Sequence, residues 1–245
     1  MKIIKEVLAR IFALWALLWF FATMLIVFLP IWMIGLWPEP KRTIFLCNIF
    51  RVWMRVFFFI TGLRLQKKGK EYFKKRETYI VVCNHNTLLD VPVSTPGIPG
   101  PNKTIAKIEI SRIPVFGMMY KRGSVLVNRK SGESRKASYA KMKEVLELGI
   151  HMCIYPEGTR NKTNEPLQQF HDGAFKLAVD TGHSILPALI FNTSKIFPNN
   201  KTFYFWPSKI EMHFLEPIAV GSQNSDQLKE KTFNLMKEYY LQYHH

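Results

Sequence analysis

From Ile11 to Pro38 the chain carries no charged residue. This run, IFALWALLWFFATMLIVFLPIWMIGLWP, is long enough as a helix to cross a bilayer, which takes about 20 apolar residues. Lys2, Lys5 and Arg10 precede it and Lys41 and Arg42 follow, so the flanking charge leaves the orientation open. Trp32 and Trp37 fall near its end, where indoles favour the headgroup interface. Pro30 and Pro38 are the places where this helix is expected to bend or stop. A secretory signal fits poorly, because the apolar run is too long and no small-residue cleavage site follows it.

A second apolar stretch, Thr43–Leu63, is interrupted by Arg51 and Arg55, one helical turn apart. It reads as an interfacial or half-inserted helix whose arginines snorkel. Residues 1–64 are therefore expected to form a pair of membrane-anchoring helices and 65–245 the working domain. Two full spans and two helices lying in one leaflet are both compatible with the pattern.

Across the whole chain 34 Lys and Arg face 18 Asp and Glu, a net charge of +16. Such a balance attracts phosphate of any kind. The cations are dispersed, the densest run being Lys67-Lys68-Gly69-Lys70, and no nucleic-acid motif is present, so nucleic acid is not an expected partner. Nearly half of the residues are apolar, which excludes a disordered basic tail. Cys47, Cys83 and Cys153 are too few for a disulfide framework and fit no zinc spacing.

Beyond Lys67 the chain alternates between short strand-like runs and helical ones. Strands are predicted at Tyr79–Cys83, Thr104–Ala106, Ser124–Val127, His151–Tyr155, Ile185–Phe191 and Lys209–Phe214. Helices are predicted at Ser134–Leu148, Gly173–Thr181 and Ser225–Tyr243, with Asn192–Pro207 as a loop or hairpin. The order implies an α/β fold, a central sheet flanked by helices and joined by crossovers. His244 and His245 are assigned no role.

Three clusters lie at or just beyond the ends of apolar strands. The first is Asn84-His85-Asn86-Thr87-Leu88-Leu89-Asp90. A histidine there stands where α/β folds place ligands, and Asp90, one and a half turns into a following helix, can reach back to its imidazole. A carboxylate on one ring nitrogen leaves the other free to take a proton. The second is Glu157-Gly158-Thr159-Arg160, where glycine admits close backbone approach and arginine offers a fork suited to phosphate. The third is Gly123–Arg129, a strand running into another arginine. Each alone has an ordinary structural reading as a turn, a cap or a surface charge. Together they outline a cleft for a phosphorylated substrate with one abstractable proton.

These blocks resemble those of the NHxxxxD glycerolipid acyltransferases. His85 and Asp90 stand as NHxxxxD, and Glu157–Arg160 as EGTR. Gly123–Arg129 is similar to the intervening block that ends in arginine. Lys107-Ile-Glu109 with Pro114-Val-Phe-Gly117, and Leu186-Pro187, resemble two further blocks. The likeness spans residues 79–191, and length and spacing look most like the bacterial PlsC-type lysophosphatidic acid acyltransferases of that family. The chain departs from the pattern at Asn128, at His171 and Asp172, and at Asn86–Leu89.

The resemblance implies a glycerolipid acyltransferase fold, a mixed central sheet flanked by helices. It implies transfer of an acyl group from acyl-CoA or acyl carrier protein to the sn-2 hydroxyl of 1-acyl-glycerol-3-phosphate. Another lysolipid, a lyso-aminolipid or lysophospholipid, is the alternative acceptor. His85 is then the general base and Asp90 its orienting carboxylate. Glu157, Gly158, Thr159 and Arg160 bind the glycerol phosphate, with Arg129 and Lys107 adding charge. Backbone amides around Gly158 are the candidate oxyanion donors. No metal or cofactor is required beyond the thioester co-substrate. Membrane lipid is the expected partner and the cytoplasmic membrane the expected location, the domain facing the cytoplasm. Cys83, two residues from His85, continues an apolar strand and is read as inert packing. His151, His183 and His213 have no acid assigned to them and are read as structural.

Overall fold

The computed structural model describes residues 2–163 and 165–243; His244 and His245 lie outside the described residues. The chain opens with α1 (Lys2–Ile34) and α2 (Lys41–Ile60), both long and apolar enough to cross a membrane. The first helix runs through Pro30 and ends in a tight turn at Gly35–Trp37, so Pro38 rather than Pro30 marks its stop. Glu39 stands two residues before the second. Its carboxylate accepts from the Thr43 backbone N–H (3.3 Å) and hydroxyl (2.7 Å), and pairs with Lys103 Nζ at 2.7 Å.

The sheet follows from β1 (Arg64–Lys68), β2 (Ile80–Cys83), β3 (Asn102–Lys107), β4 (Ser124–Val127), β5 (His151–Ile154), β6 (Ile185–Phe191) and β7 (Lys209–Phe214). Between them run α3 (Asp90–Gly97), α4 (Phe116–Gly123), α5 (Gly132–Glu147), α6 (Gly173–Thr181) and α7 (Thr193–Ile196), and α8 (Ser225–Tyr243) closes the chain. The seven strands lie in the order β1-β7-β6-β2-β5-β3-β4. β7 is antiparallel to β6, and every other neighbouring pair is parallel, giving the expected mixed sheet.

The central strands β2, β5 and β6 are buried on both faces, as parallel strands covered by helices must be. One face, with Val81, Cys83, Ile190 and Met212, packs under α2 to α4; the other, with Ile80, Val82, Met152 and Leu189, packs under α5, α6 and α8. Where the sequence predicted no strand, β1 (RLQKK) pairs along β7 as an edge strand. Edge strands tolerate this much charge because one side faces water.

The N-terminal helices are not independent of the domain. Ala9 O accepts from Phe205 N (3.1 Å) near one end of α1, and Ile31 O accepts from Arg122 near the other. Trp53 Nε1 of α2 donates to Thr23 Oγ1 of α1 at 2.8 Å, joining the two helices. Arg51, read from sequence as snorkelling, instead donates to Ile98 O (3.1 Å) and Gly100 O at the end of α3. The outward faces stay apolar, with Ile3, Leu36 and Phe59 each at least 80% exposed.

Candidate active site

Because β2, β5, β3 and β4 are mutually parallel, their carboxyl ends share one edge of the sheet. Lys107 ends β3, His85 and Arg129 stand two residues past β2 and β4, and Glu157–Arg160 follows β5. A cavity of about 330 Å³ opens there, lined by His85, Lys107, Arg129, Gly158, Thr159 and Arg160. Lys107, Arg129 and Arg160 form no ion pair among the described residues. Three cations without a protein carboxylate around one hollow favour an anionic ligand.

Asp90 opens α3 rather than lying one and a half turns into it. The five residues from His85 form a tight turn that folds round the carboxylate. Asp90 Oδ2 lies 2.8 Å from His85 Nδ1 and accepts from the backbone N–H groups of Asn86 (2.5 Å) and Thr87 (2.7 Å). Thr193 Oγ1 donates to Oδ1 at 2.6 Å. A fully buried carboxylate needs such partners to remain charged. The pairing assigns the proton to Nδ1 of neutral His85 and leaves Nε2 without a protein partner among the described residues. Asn84 anchors the turn, exchanging hydrogen bonds with Ile190 of β6 at 2.7 and 3.0 Å.

Glu157, predicted to bind substrate, points the other way. It is 2% exposed, and its carboxylate accepts from His85 N (2.7 Å) and Gln168 N (3.0 Å). Burial pushes its carboxyl up to about 7, against the pull of those two donors. Glu157 thus holds the backbone of His85 while Thr159 and Arg160 face the cavity. Gly158 has φ +68°, a conformation that favours glycine, and a Cβ there would meet His171 Cδ2 at 2.7 Å. Its N–H donates to Tyr155 O at 3.0 Å, so this amide is already engaged, and its carbonyl accepts from Arg129.

Sequence reasoning missed Tyr155, whose ring stacks on the His85 imidazole with centroids 4.4 Å apart. Its phenol shares a hydrogen bond with Ser94 Oγ at 2.7 Å, and burial pushes its pKa well up. Thr193 was missed too, because its pairing with Asp90 crosses a hundred residues of chain. Cys83 is fully buried and 3.8 Å from Cys153 Sγ, away from the cavity lining, and that contact and burial raise its thiol pKa. His151 accepts from Tyr79 N at 3.0 Å and burial lowers its pKa to about 4, so it packs as a neutral ring. His213, by contrast, does have an acid, Glu211 Oε2 at 3.1 Å.

Beyond Val91, Thr104 and Tyr120 the cavity adjoins a narrower apolar pocket lined by Phe50, Trp53, Pro96, Phe116 and Met119. It runs between α2, α3 and α4 towards the membrane-type helices.

Residues 64–191, more than half of the chain, match the family described as Acyltransferase. The chain belongs to that family. Among curated members, the 1-acyl-sn-glycerol-3-phosphate acyltransferase of Borreliella burgdorferi is 30% identical over 62% of this chain. The match spans 61% of that relative's own length. Its namesake from Helicobacter pylori is 29% identical over 77% of this chain and 78% of its own. The fold is that of the solved 1-acyl-sn-glycerophosphate (LPA) acyltransferase PlsC from Thermotoga maritima, with TM-score 0.79 and 22% identity. That likeness covers 99% of this chain and 97% of the other, so the acyltransferase fold includes the two N-terminal helices.

Proposed function

We propose that this family member transfers a fatty acyl group from an acyl thioester, acyl-CoA or acyl carrier protein, to the sn-2 hydroxyl of lysophosphatidic acid, giving phosphatidic acid. The observation that carries the reading is the His85–Asp90 pair, 2.8 Å apart, opening on a cavity lined by three carboxylate-free cations. His85 Nε2 takes the hydroxyl proton as the oxygen attacks the thioester carbonyl carbon. Asp90 fixes the tautomer and stabilises the imidazolium. The carbon–sulfur bond then breaks, and the thiolate leaves and takes back the proton. Arg160, Arg129 and Lys107 hold the acceptor phosphate, which positions the hydroxyl for attack. The apolar pocket beyond Thr104 takes the donor's acyl chain. The names carried by the relatives support the acceptor.

The membrane is the cytoplasmic one and the domain faces the cytoplasm; three free thiols and a CoA-type donor support that side. Both helices lie in one leaflet. A 33-residue helix is about 50 Å long, and α1 is held against the domain near both ends, which suits an in-plane helix better than a crossing one.

The test is product formation from palmitoyl-CoA with lysophosphatidic acid and with monoacylglycerol, which has no phosphate. The reading expects phosphatidic acid and a preference for the phosphorylated acceptor that falls about tenfold or more in Arg160→Ala. Equal use of both acceptors, or a preference for a lysolipid lacking a terminal phosphate, would overturn it.

A further inference from the structure

A second hollow, larger than the catalytic cavity, lies across the Arg129–Gly158 hydrogen bond. It is a groove of about 1120 Å³ between α5 and α6. Ile105, Val127, Met142 and Ala174 contribute an apolar floor, and Arg135, Lys136, Lys143 and Lys176 a basic rim. Ile105, Arg129, Ile154, Tyr155 and Gly158 line both hollows, so the groove reaches to the ring stacked on His85.

The rim cations are not equivalent. Lys143 is paired with Asp180 at 3.1 Å and Lys176 with Asp172 at 3.5 Å. Arg135 and Lys136, adjacent near the start of α5, are exposed and form no ion pair among the described residues. At the opposite end of the catalytic cavity, Thr104 lines the passage into the apolar pocket. Its hydroxyl is buried and has no hydrogen-bond partner among the described residues. A buried unpaired hydroxyl is costly unless a ligand satisfies it.

Three hollows therefore adjoin in the order basic groove, catalytic cavity, apolar pocket. An acyl-CoA has the same order of parts: phosphates and pantetheine, thioester, hydrocarbon chain. We propose that the α5/α6 groove binds the coenzyme A portion of the donor. Its pantetheine arm lies on the apolar floor, and its phosphates meet Arg135 and Lys136. This deepens the acyl-transfer reading and rests on it. A concave site of this size suits a small polyanion with a flexible arm; a folded carrier protein calls for a broad surface patch instead.

The experiment compares palmitoyl-CoA with palmitoyl-pantetheine, which lacks the phosphates, at saturating lysophosphatidic acid. The proteins are the wild type, the Arg135→Glu/Lys136→Glu double variant and Lys231→Glu, a charge reversal on the exposed side of α8. Binding of free CoA is measured by calorimetry on the same three proteins. The expected result is that the wild type prefers palmitoyl-CoA and binds CoA. The double variant loses about tenfold or more of both preference and affinity, and Lys231→Glu keeps them. Unchanged CoA affinity in the double variant overturns the assignment, as does a wild type that uses acyl carrier protein but does not bind CoA. A wild type that binds CoA through Arg135 and Lys136 but transfers no acyl group sinks the acyl-transfer reading and leaves the CoA site standing.

Discussion

Two of the described histidines are each paired with a carboxylate, and their surroundings differ. His85 meets Asp90 at 2.8 Å beyond the carboxyl end of β2, and its second nitrogen has no protein partner among the described residues. His213 meets Glu211 at 3.1 Å on β7, beneath α8, and its second nitrogen is taken by the Tyr239 hydroxyl at 3.1 Å. Glu211 also accepts from Tyr243 (3.1 Å) and pairs with Lys209 (3.0 Å). Burial lowers the His213 pKa, which favours its neutral form. A carboxylate partner does not by itself separate the two rings; a second nitrogen opening on a cavity does, and it is the ground for proposing His85 rather than His213 as the base.

Matched substitutions can break this contrast. Asp90→Asn replaces one acceptor oxygen by an amide that also donates, and is expected to lower kcat about 100-fold or more. Glu211→Gln makes the same change in the other pair and should leave kcat within about twofold. Steady-state rates decide it, and equal losses in both would erase the distinction.

Glu157 sharpens the account through pH. Its carboxyl is raised from an ordinary 4.5 to about 7, mainly by burial. An acid whose pKa is raised by folding is harder to ionise in the native state. Stability is therefore fully present below about pH 4.5 and falls as pH rises through 7. Glu157→Gln has no such charge to form. Relative to wild type it should gain roughly 2–3 kcal/mol between pH 4.5 and 8, on top of a constant loss from the Gln168 hydrogen bond. Thermal melts across that range measure the difference, and parallel curves would refute it.

The smallest effect is expected at the buried pair. His213→Ala should cost about 1–3 kcal/mol of stability, the penalty for leaving Glu211 and Tyr239 short of a partner. The rate on lysophosphatidic acid should stay within about twofold. A large kcat loss with an unchanged Tm would move His213 into the catalytic machinery.

Much of this was legible in the sequence because the signals are local. The strands at 124–127, 185–191 and 209–214 and the helices at 173–181 and 225–243 stand as read, since apolar runs and periodic faces report burial directly. The parallel order of β2, β5, β3 and β4 brings His85, Lys107, Arg129 and Arg160 to one edge, as the motif clustering suggested. What escaped was set by distant partners. β1 is a strand because β7 offers a backbone to pair with, although RLQKK looks like a solvated charge run. α3 starts only at Asp90, later than the sequence suggested, because the chain before it turns two backbone amides onto the carboxylate. Glu157 turns inward because His85 and Gln168 present N–H groups there. The Glu211–His213 pair was within reach, since residues two apart on a strand share a face.

The most direct test is acceptor-dependent CoA release from palmitoyl-CoA and lysophosphatidic acid by wild type and His85→Ala, with the Tm of each measured alongside. With His85 as the base, the variant should keep its Tm within a few degrees and lose about 100- to 10,000-fold in kcat. A variant that folds and releases CoA at the wild-type rate would place the base elsewhere and contradict the account.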